Sequence, residues 1–324
     1  MIAIALVSGG LDSLLAANLI RAQGIQVIGL HYKLPSCKLN FKDTFADIDM
    51  PIVEIDLADE FLSLICKPRY GFGANMNPCI DCKILMFSKA RKLLPEFKAS
   101  FVVSGEVLGQ RPMSQTKQSL ELIKKHSGLG DLLLRPLSAG LLAPTLAERE
   151  GWVDREKLLK FSGRMRRPQM ELASQMGIKK YGNPAGGCLL TDPEFSKRLK
   201  ELIAHDELNL GNLELLKIGR HFRIAQNAKL IVGRCEEENK RLLELAAKGD
   251  HLFYANEDLA GPTSLARGEL DEDLIGLCCR ISCSYCDTGV DAQTDILYRN
   301  LPAKTETRFK TRCFKRDDFN HLRI

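Results

Sequence analysis

The run Ile4-Ala5-Leu6-Val7 leads directly into Ser8-Gly9-Gly10-Leu11-Asp12-Ser13 and then into an amphipathic, helix-like segment. A buried strand, a two-glycine turn and a helix in immediate succession leave few folds open. The glycines let the backbone turn tightly, so that amide hydrogens, the Ser8 and Ser13 hydroxyls and the positive end of the helix dipole converge on an anion. The Gly-Lys-Ser/Thr ending of the common nucleotide-binding P-loop is absent, which argues against a kinase-like or GTPase reading.

Apolar, β-branched runs at 2–7, 26–32, 52–55 and 100–104 alternate with helix-like segments at 11–21, 60–66 and 83–94. Strand-helix alternation of this kind predicts an α/β fold with a doubly wound parallel sheet. Ligands in such sheets bind beyond the carboxyl ends of the strands, where Ser8, His31 and Gly105 all fall. A helical stretch is expected over 145–176, a glycine-rich turn over 181–187 and a charged helix over 193–205. Near 206–211 the pattern changes to that of a smaller α+β domain, so the division is expected at 1–206 and 207–324.

The 324 residues accommodate about two domains, and 45% hydrophobic content is ample for their cores. No long apolar run and no leader-like segment stand out, so a soluble cytoplasmic protein with no membrane role is expected. Eleven cysteines in that setting argue against a disulfide framework and for metal, cluster or sulfur chemistry.

Asn77-Pro78-Cys79-Ile80-Asp81-Cys82-Lys83 sets a Cys-x-x-Cys pair just ahead of a helix, where the dipole favours thiolates. Cys188, in Asn183-Pro-Ala-Gly-Gly-Cys188, is the third member. Three such sulfurs suit an iron–sulfur cluster, a persulfide-carrying redox set or structural zinc, and the spacing alone leaves all three open. Cys66 and Cys235 suit plain packing. Cys278, Cys279, Cys283 and Cys286 read as packing on an amphipathic segment, with zinc as the alternative.

A net charge of +5 permits an RNA partner. Basic residues cluster at Arg155, Lys157, Lys160, Arg164, Arg166, Arg167, Lys179 and Lys180. They cluster again at Arg299, Lys304, Arg308, Lys310, Arg312, Lys315 and Arg316, interleaved with Phe309 and Phe314. Beside a nucleotide site these favour a phosphate backbone as substrate.

The Ser8–Ser13 turn resembles the PP-loop of ATP pyrophosphatases, which cut ATP between the α and β phosphates and leave AMP on a substrate. With Val103-Ser-Gly-Glu-Val-Leu-Gly-Gln-Arg-Pro-Met-Ser-Gln115, Arg135-Pro136-Leu137, His31-Tyr32 and Cys188, residues 1–195 resemble the adenylating domain of the ThiI tRNA 4-thiouridine synthases. The resemblance implies that Ser8, Gly9, Gly10, Asp12 and Ser13 bind pyrophosphate and Mg2+. It implies that His31, Tyr32, Lys83, Gly105 and Gln115 hold ATP, and that Asp12, Cys79, Cys82 and Cys188 carry the chemistry. Archaeal relatives hold a [4Fe-4S] cluster on a Cys-x-x-Cys pair plus a distant Cys, a pattern that Cys79, Cys82 and Cys188 match. From about Leu215 to Tyr285, Lys229-Leu-Ile-Val-Gly-Arg, Glu237-Glu-Asn-Lys-Arg and Gly261-Pro-Thr-Ser resemble the RNA-associated domain of NFACT proteins.

Together these imply a tRNA sulfurtransferase that adenylates a uridine and replaces its oxygen with sulfur, forming 4-thiouridine, or 2-thiouridine by the same route. The sulfur donor would be sulfide or a cysteine desulfurase persulfide, with a homodimer left open. In the persulfide scheme Cys188 carries the sulfur and Cys79 or Cys82 resolves it. An amide- or nitrile-forming ligase on a small molecule, its cysteine loop stabilised by zinc, is the alternative.

Overall fold

A strand with neighbours on both sides and helices on both faces has no solvent face to mark, which is why Ile2–Leu6 reads as a continuous apolar run. In the computed structural model, which describes residues 1–37, 45, 49–182, 188–256 and 259–324, this strand (β1) lies at the centre of a parallel sheet. Its partners are β2 (Gln26–Lys33), β3 (Ile52–Asp56), β4 (Phe101–Ser104) and the two-residue β5 (Leu133–Leu134), in the order β3-β2-β1-β4-β5. Period-two alternation sorts the side chains. Ala3, Ala5, Val27 and Val103 pack with helix α1 (Leu11–Arg21) on one face, and Ile4, Leu30, Tyr32 and Val102 pack with helix α3 (Cys79–Leu93) on the other. Helix α2 (Ala58–Cys66) precedes α3, and α4 (Lys117–His126) follows β4. The order reverses at β1, which has both β2 and β4 beside it, so the ligand crevice of such a sheet opens where these strands end.

The expected continuous helix over 145–176 is corrected. The chain makes single turns at Leu146–Arg149 and Arg155–Lys157, and only Arg167–Gln175 (α5) is a longer helix. Gly151 and Gly163 take φ values of 67° and 82°, left-handed conformations that interrupt a helix between them. Of the expected turn over 181–187, residues 183–187 lie outside the described residues.

Compactness divides the chain into Met1–Asp192 and Pro193–Ile324, ahead of the point near residue 207 where the pattern changes. The physical reason is helix α6 (Pro193–Ala204), whose Glu201 pairs with Arg223 and Lys229 at 2.5 and 2.9 Å and whose Arg198 donates to the Leu216 carbonyl at 2.8 Å. The second unit then adds the short helix α7 (Leu210–Leu215) and an antiparallel sheet in the order β11-β10-β8-β9-β7-β6. Its strands are β6 (Arg220–Ala225), β7 (Ala228–Val232), β8 (His251–Ala255), β9 (Thr263–Gly268), β10 (Gln293–Asn300) and β11 (Thr307–Arg312). Helix α8 (Glu236–Leu245) covers one face through Leu242, packed with Ile231, Leu252 and Leu265. Helix α9 (Glu272–Cys283) covers the other, among Phe222, Phe253 and Ile296. The smaller α+β domain expected from the sequence is therefore present. No helix among the described residues is long and apolar enough to cross a membrane.

Candidate active site

The loop after β1 is held open by its own side chains. Gly9 turns the chain at φ 70°, and Gly10 caps α1. Ser13 Oγ donates to the Gly10 carbonyl at 2.7 Å and accepts the Ser8 amide at 3.2 Å, so this hydroxyl fixes the loop's shape. Gly105, at the end of β4, sits against the start of α1: a Cβ there would lie 2.5 Å from the Asp12 carbonyl carbon and oxygen. Only glycine permits that approach. Asp12 Oδ2 accepts from Gln110 Nε2 at 2.6 Å and lies 3.6 Å from Arg166. Gln169 donates in turn to Gln110 Oε1 at 3.0 Å. Asp12 Oδ1 is buried and has no hydrogen-bond partner among the described residues.

The residues expected to hold the nucleotide divide. His31 turns Nδ1 toward the Val7 carbonyl at 3.0 Å and meets the Phe45 ring edge-on at 5.0 Å. Its neighbour Tyr32 necessarily points to the opposite face and is packed into the core beside α3; burial pushes its phenol pKa up. The two therefore do not form one surface. Lys83 is bound at 2.5 Å to Glu106, which also accepts from Arg135 Nε at 2.7 Å. Burial pushes the Glu106 carboxyl up, but Lys83 and Arg135 outweigh it and hold the carboxyl below its ordinary range. Gln115 is buried, and its backbone accepts from the Gly109 amide at 2.7 Å. Gln110, not Gln115, reaches Asp12.

The thiols converge through the backbone. Gly182 N–H donates to the Gly9 carbonyl at 2.9 Å, Leu189 N–H to the Ser36 carbonyl at 2.9 Å, and Met76 N–H to the Leu190 carbonyl at 3.2 Å. Gly182 is thus tied to the loop after β1, and Leu189 and Leu190, which follow Cys188, to Ser36 and to the lead-in of α3. Cys79 and Cys82 occupy the first turn of α3 itself rather than a position ahead of it. Cys79 Sγ donates to Asn77 Oδ1 at 3.0 Å. Burial pushes the Cys82 thiol up, and the neighbouring Cys188, Cys79 and Cys37 push it further. The Cys188 thiol is also raised, by burial first, with Arg111 pulling the other way. A helix dipole alone would have lowered the Cys82 thiol; burial and repulsion from its neighbours win. Among the described residues, no group of three or more His, Cys, Asp or Glu side chains is placed to hold a single metal ion.

Cys37, Gln110, Arg111 and Arg166 were not legible as site residues. Arg166 belongs to the first basic cluster. Other members of that cluster serve the fold: Arg155 pairs with Glu148 and donates to the Ala139 and Leu142 carbonyls, both at 2.9 Å.

In the second unit Cys278, Cys279, Cys283 and Cys286 lie in the apolar core, as packing predicts, and Cys283 is joined to Cys313 in a disulfide that the cysteine usage argued against. Basic side chains gather around one ring: the Arg220 and Arg316 guanidiniums lie 4.6 and 5.1 Å from the centre of Tyr285. On β11, Arg308, Lys310 and Arg312 share an exposed face, while Phe309 turns to the core.

Comparison with known proteins agrees with both halves. Residues 2–140 match the family model "Thiamine biosynthesis protein (ThiI)", and residues 219–323 match "NFACT protein RNA binding domain". The tRNA-specific 2-thiouridylase MnmA of Petrotoga mobilis is 27% identical over 67% of this chain and 63% of its own length. The probable tRNA sulfurtransferase of Thermococcus kodakarensis is 28% identical over 41% of this chain and 36% of its own length. A solved 4-thiouridine synthetase in complex with RNA and ATP aligns over 66% of this chain and 52% of its own, at 19% identity and a TM-score of 0.35. The chain spans between about a third and just under two thirds of the length of these curated relatives. Residues 2–140 are therefore similar to the ThiI family model and residues 219–323 to the NFACT RNA-binding one.

Proposed function

We propose that this protein is a tRNA sulfurtransferase that uses ATP to activate a uridine and replaces its carbonyl oxygen with sulfur, forming 4-thiouridine in the cytoplasm. The observation that carries the reading is a set of backbone hydrogen bonds: Gly182 to the phosphate-type loop, and Leu189 and Leu190, next to Cys188, to Ser36 and to Met76 just ahead of the cysteine helix. ATP activation and sulfur delivery need to meet at one carbon atom, and these bonds support that meeting.

In the first step the uridine oxygen attacks the α-phosphorus and pyrophosphate leaves. The Ser8–Ser13 loop amides and the α1 N-terminus take up the charge that builds on the leaving group. Asp12 fits a magnesium ion, since Oδ1 is buried and without a hydrogen-bond partner among the described residues while Oδ2 is held by Gln110. Bound there, the ion would neutralise pyrophosphate charge. Glu106 keeps Lys83 and Arg135 in a fixed, compensated arrangement below the crevice.

In the second step sulfur displaces AMP. Cys79, Cys82 and Cys188, near enough that Cys79 and Cys188 act electrostatically on Cys82, are the donor set for a [4Fe-4S] cluster; without one, Cys188 would carry the sulfur as a persulfide. When bound, the cluster would supply a thiophilic iron centre for sulfur delivered as sulfide or as a persulfide. Arg111 and Arg166 hold positive charge near the mouth for the RNA phosphates, and the NFACT domain is assigned the tRNA body.

Nucleoside mass spectrometry of tRNA from a deletion strain tests the reading. Loss of 4-thiouridine is the expected result; loss of 2-thiouridine moves the chemistry to C2, and an unchanged profile favours the ligase alternative. Cys188→Ala should abolish thiolation while pyrophosphate release persists, and retained thiolation would remove Cys188 from the chemistry.

A further inference from the structure

Cys37 lies just beyond β2, at the carboxyl edge where the crevice opens, and pairs with Cys188 in an isolated antiparallel bridge. The bridge has one decisive feature. Its hydrogen bond runs from the Leu189 amide, one residue after Cys188, to the Ser36 carbonyl, one residue before Cys37, at 2.9 Å. That pattern makes Cys37 and Cys188 a non-hydrogen-bonded pair, whose Cα atoms approach to about 4.5 Å with both side chains on the same face. Disulfides need Cα separations of roughly 4.4–6.8 Å and facing Cβ vectors, so the pair meets both conditions. Both residues are half-buried, reachable by small reagents. Cys37 also stands among the sulfurs that act electrostatically on Cys82, which puts four thiols in one neighbourhood.

We propose that Cys37 is the resolving partner of Cys188, the two thiols closing into a reversible disulfide when Cys188 gives up a disulfide-bonded sulfur. The Cys37 thiolate attacks Cys188 Sγ; a Cys37–Cys188 bond forms, the bond from Cys188 to the outgoing sulfur breaks, and that sulfur leaves with the electron pair. The Cys37 proton passes to solvent. A dithiol reductant then supplies two electrons and two protons to restore both thiols. This rests on the persulfide form of that reading, in which Cys188 carries sulfur instead of ligating a cluster, and it assigns to Cys37 the resolving role that the persulfide scheme had given to Cys79 or Cys82.

The full-length protein is reduced, freed of reductant under anaerobic conditions, exposed to glutathione disulfide, capped with N-ethylmaleimide and mapped by non-reducing peptide mass spectrometry. The expected product is a Cys37–Cys188 linked peptide, reversed by dithiothreitol, with Cys79 and Cys82 still alkylated. In Cys37→Ser and Cys37→Ala the link is lost and the Cys188–glutathione adduct accumulates. Circular dichroism of both variants confirms that they fold. A stable glutathione adduct on wild-type Cys188, or a Cys79–Cys82 link with Cys37 and Cys188 alkylated, overturns the proposal. The two readings fail separately: a Cys37–Cys188 link in a protein whose deletion leaves thiouridine untouched retires the sulfurtransferase and keeps the pair. Loss of thiouridine without the link does the reverse.

Discussion

At the scale of single residues the site depends on close approach as much as on functional groups. Gly105 is the clearest case, because the atoms it faces are the Asp12 backbone rather than a side chain that can swing away. Gly105→Ala should therefore push the start of α1 off the end of β4, costing about 1–3 kcal/mol in stability. It should also lower tRNA-dependent pyrophosphate release by at least roughly tenfold, in keeping with the effect of small misplacements at a reacting centre. Release at the wild-type rate from a folded variant would show that the loop tolerates the shift. Glycine at 105 was readable as a ligand-side residue from its place after a strand. That it serves by packing against Asp12 was not, because the two are remote in sequence and meet only when β1 and β4 pair. The same limit hid Cys37: nothing in its local sequence announces a thiol partner, and the hydrogen bond beside it joins chain segments from opposite ends of the first unit. Tyr32 illustrates the converse. Its adjacency to His31 suggested one surface, but two neighbours on a strand face opposite ways.

At the scale of elements, the strands and α1 were legible because buried parallel strands are short apolar runs and helices carry their own period. The broken stretch at 145–176 was not, since its polar and apolar residues keep helical spacing on average while two left-handed glycines cut it. What ties elements to one another is charge as well as apolar area. Glu106, at the end of β4, holds Lys83 of α3 and Arg135 after β5. Removing its charge leaves two cations in a place from which water is largely excluded, so Glu106→Gln should cost about 3–5 kcal/mol. Because the folded carboxyl lies below its ordinary value, its contribution is present above that ordinary value and is lost as pH falls through the folded one. Urea unfolding at pH 7 and at successively lower pH would show the wild-type advantage over the variant shrinking in acid; an advantage that grows would refute the pairing.

His221, on β6, makes the opposite kind of contribution. Its Nε2–H donates to the Ile218 carbonyl at 2.8 Å, and Nδ1 is buried with no partner among the described residues. Burial first, then Lys229 and Arg198, pull its pKa from 6.5 down to about 3. The unfolded chain takes up a proton near pH 6.5 that the folded one refuses until about pH 3, so stability falls as pH drops across that window. The full effect is on the order of 5 kcal/mol. Thermal unfolding of the second unit should shift downward steadily from pH 7 to pH 4, and His221→Gln should flatten that dependence. An unchanged slope in the variant would assign the acid sensitivity elsewhere.

At the scale of the whole molecule, one half carries the phosphate-type loop with its thiols and the other resembles an RNA-binding domain, so under the proposed function tRNA affinity and ATP chemistry should be separable by mutation. Strand β11 offers the cleanest handle: Arg308, Lys310 and Arg312 alternate on an exposed face of an edge strand, and the core is served by Phe309 between them. Arg308 and Arg312 are partly neutralised by Asp295 and Asp291 at 3.5 and 2.5 Å, so each must exchange a protein carboxylate for an RNA phosphate. At exposed positions that exchange is inexpensive, because such ion pairs are worth about 0–1 kcal/mol. If this face follows the RNA backbone, replacing all three by alanine weakens tRNA binding and makes the plot of log affinity against log salt shallower. Every phosphate that loses its cationic partner lowers the slope by about 0.7–0.9. ATP affinity measured without tRNA should be unchanged. A variant with the wild-type salt slope would move the RNA footprint off β11 and onto the arginines around Tyr285, whose guanidiniums already lie against an aromatic face suited to stacking with a base.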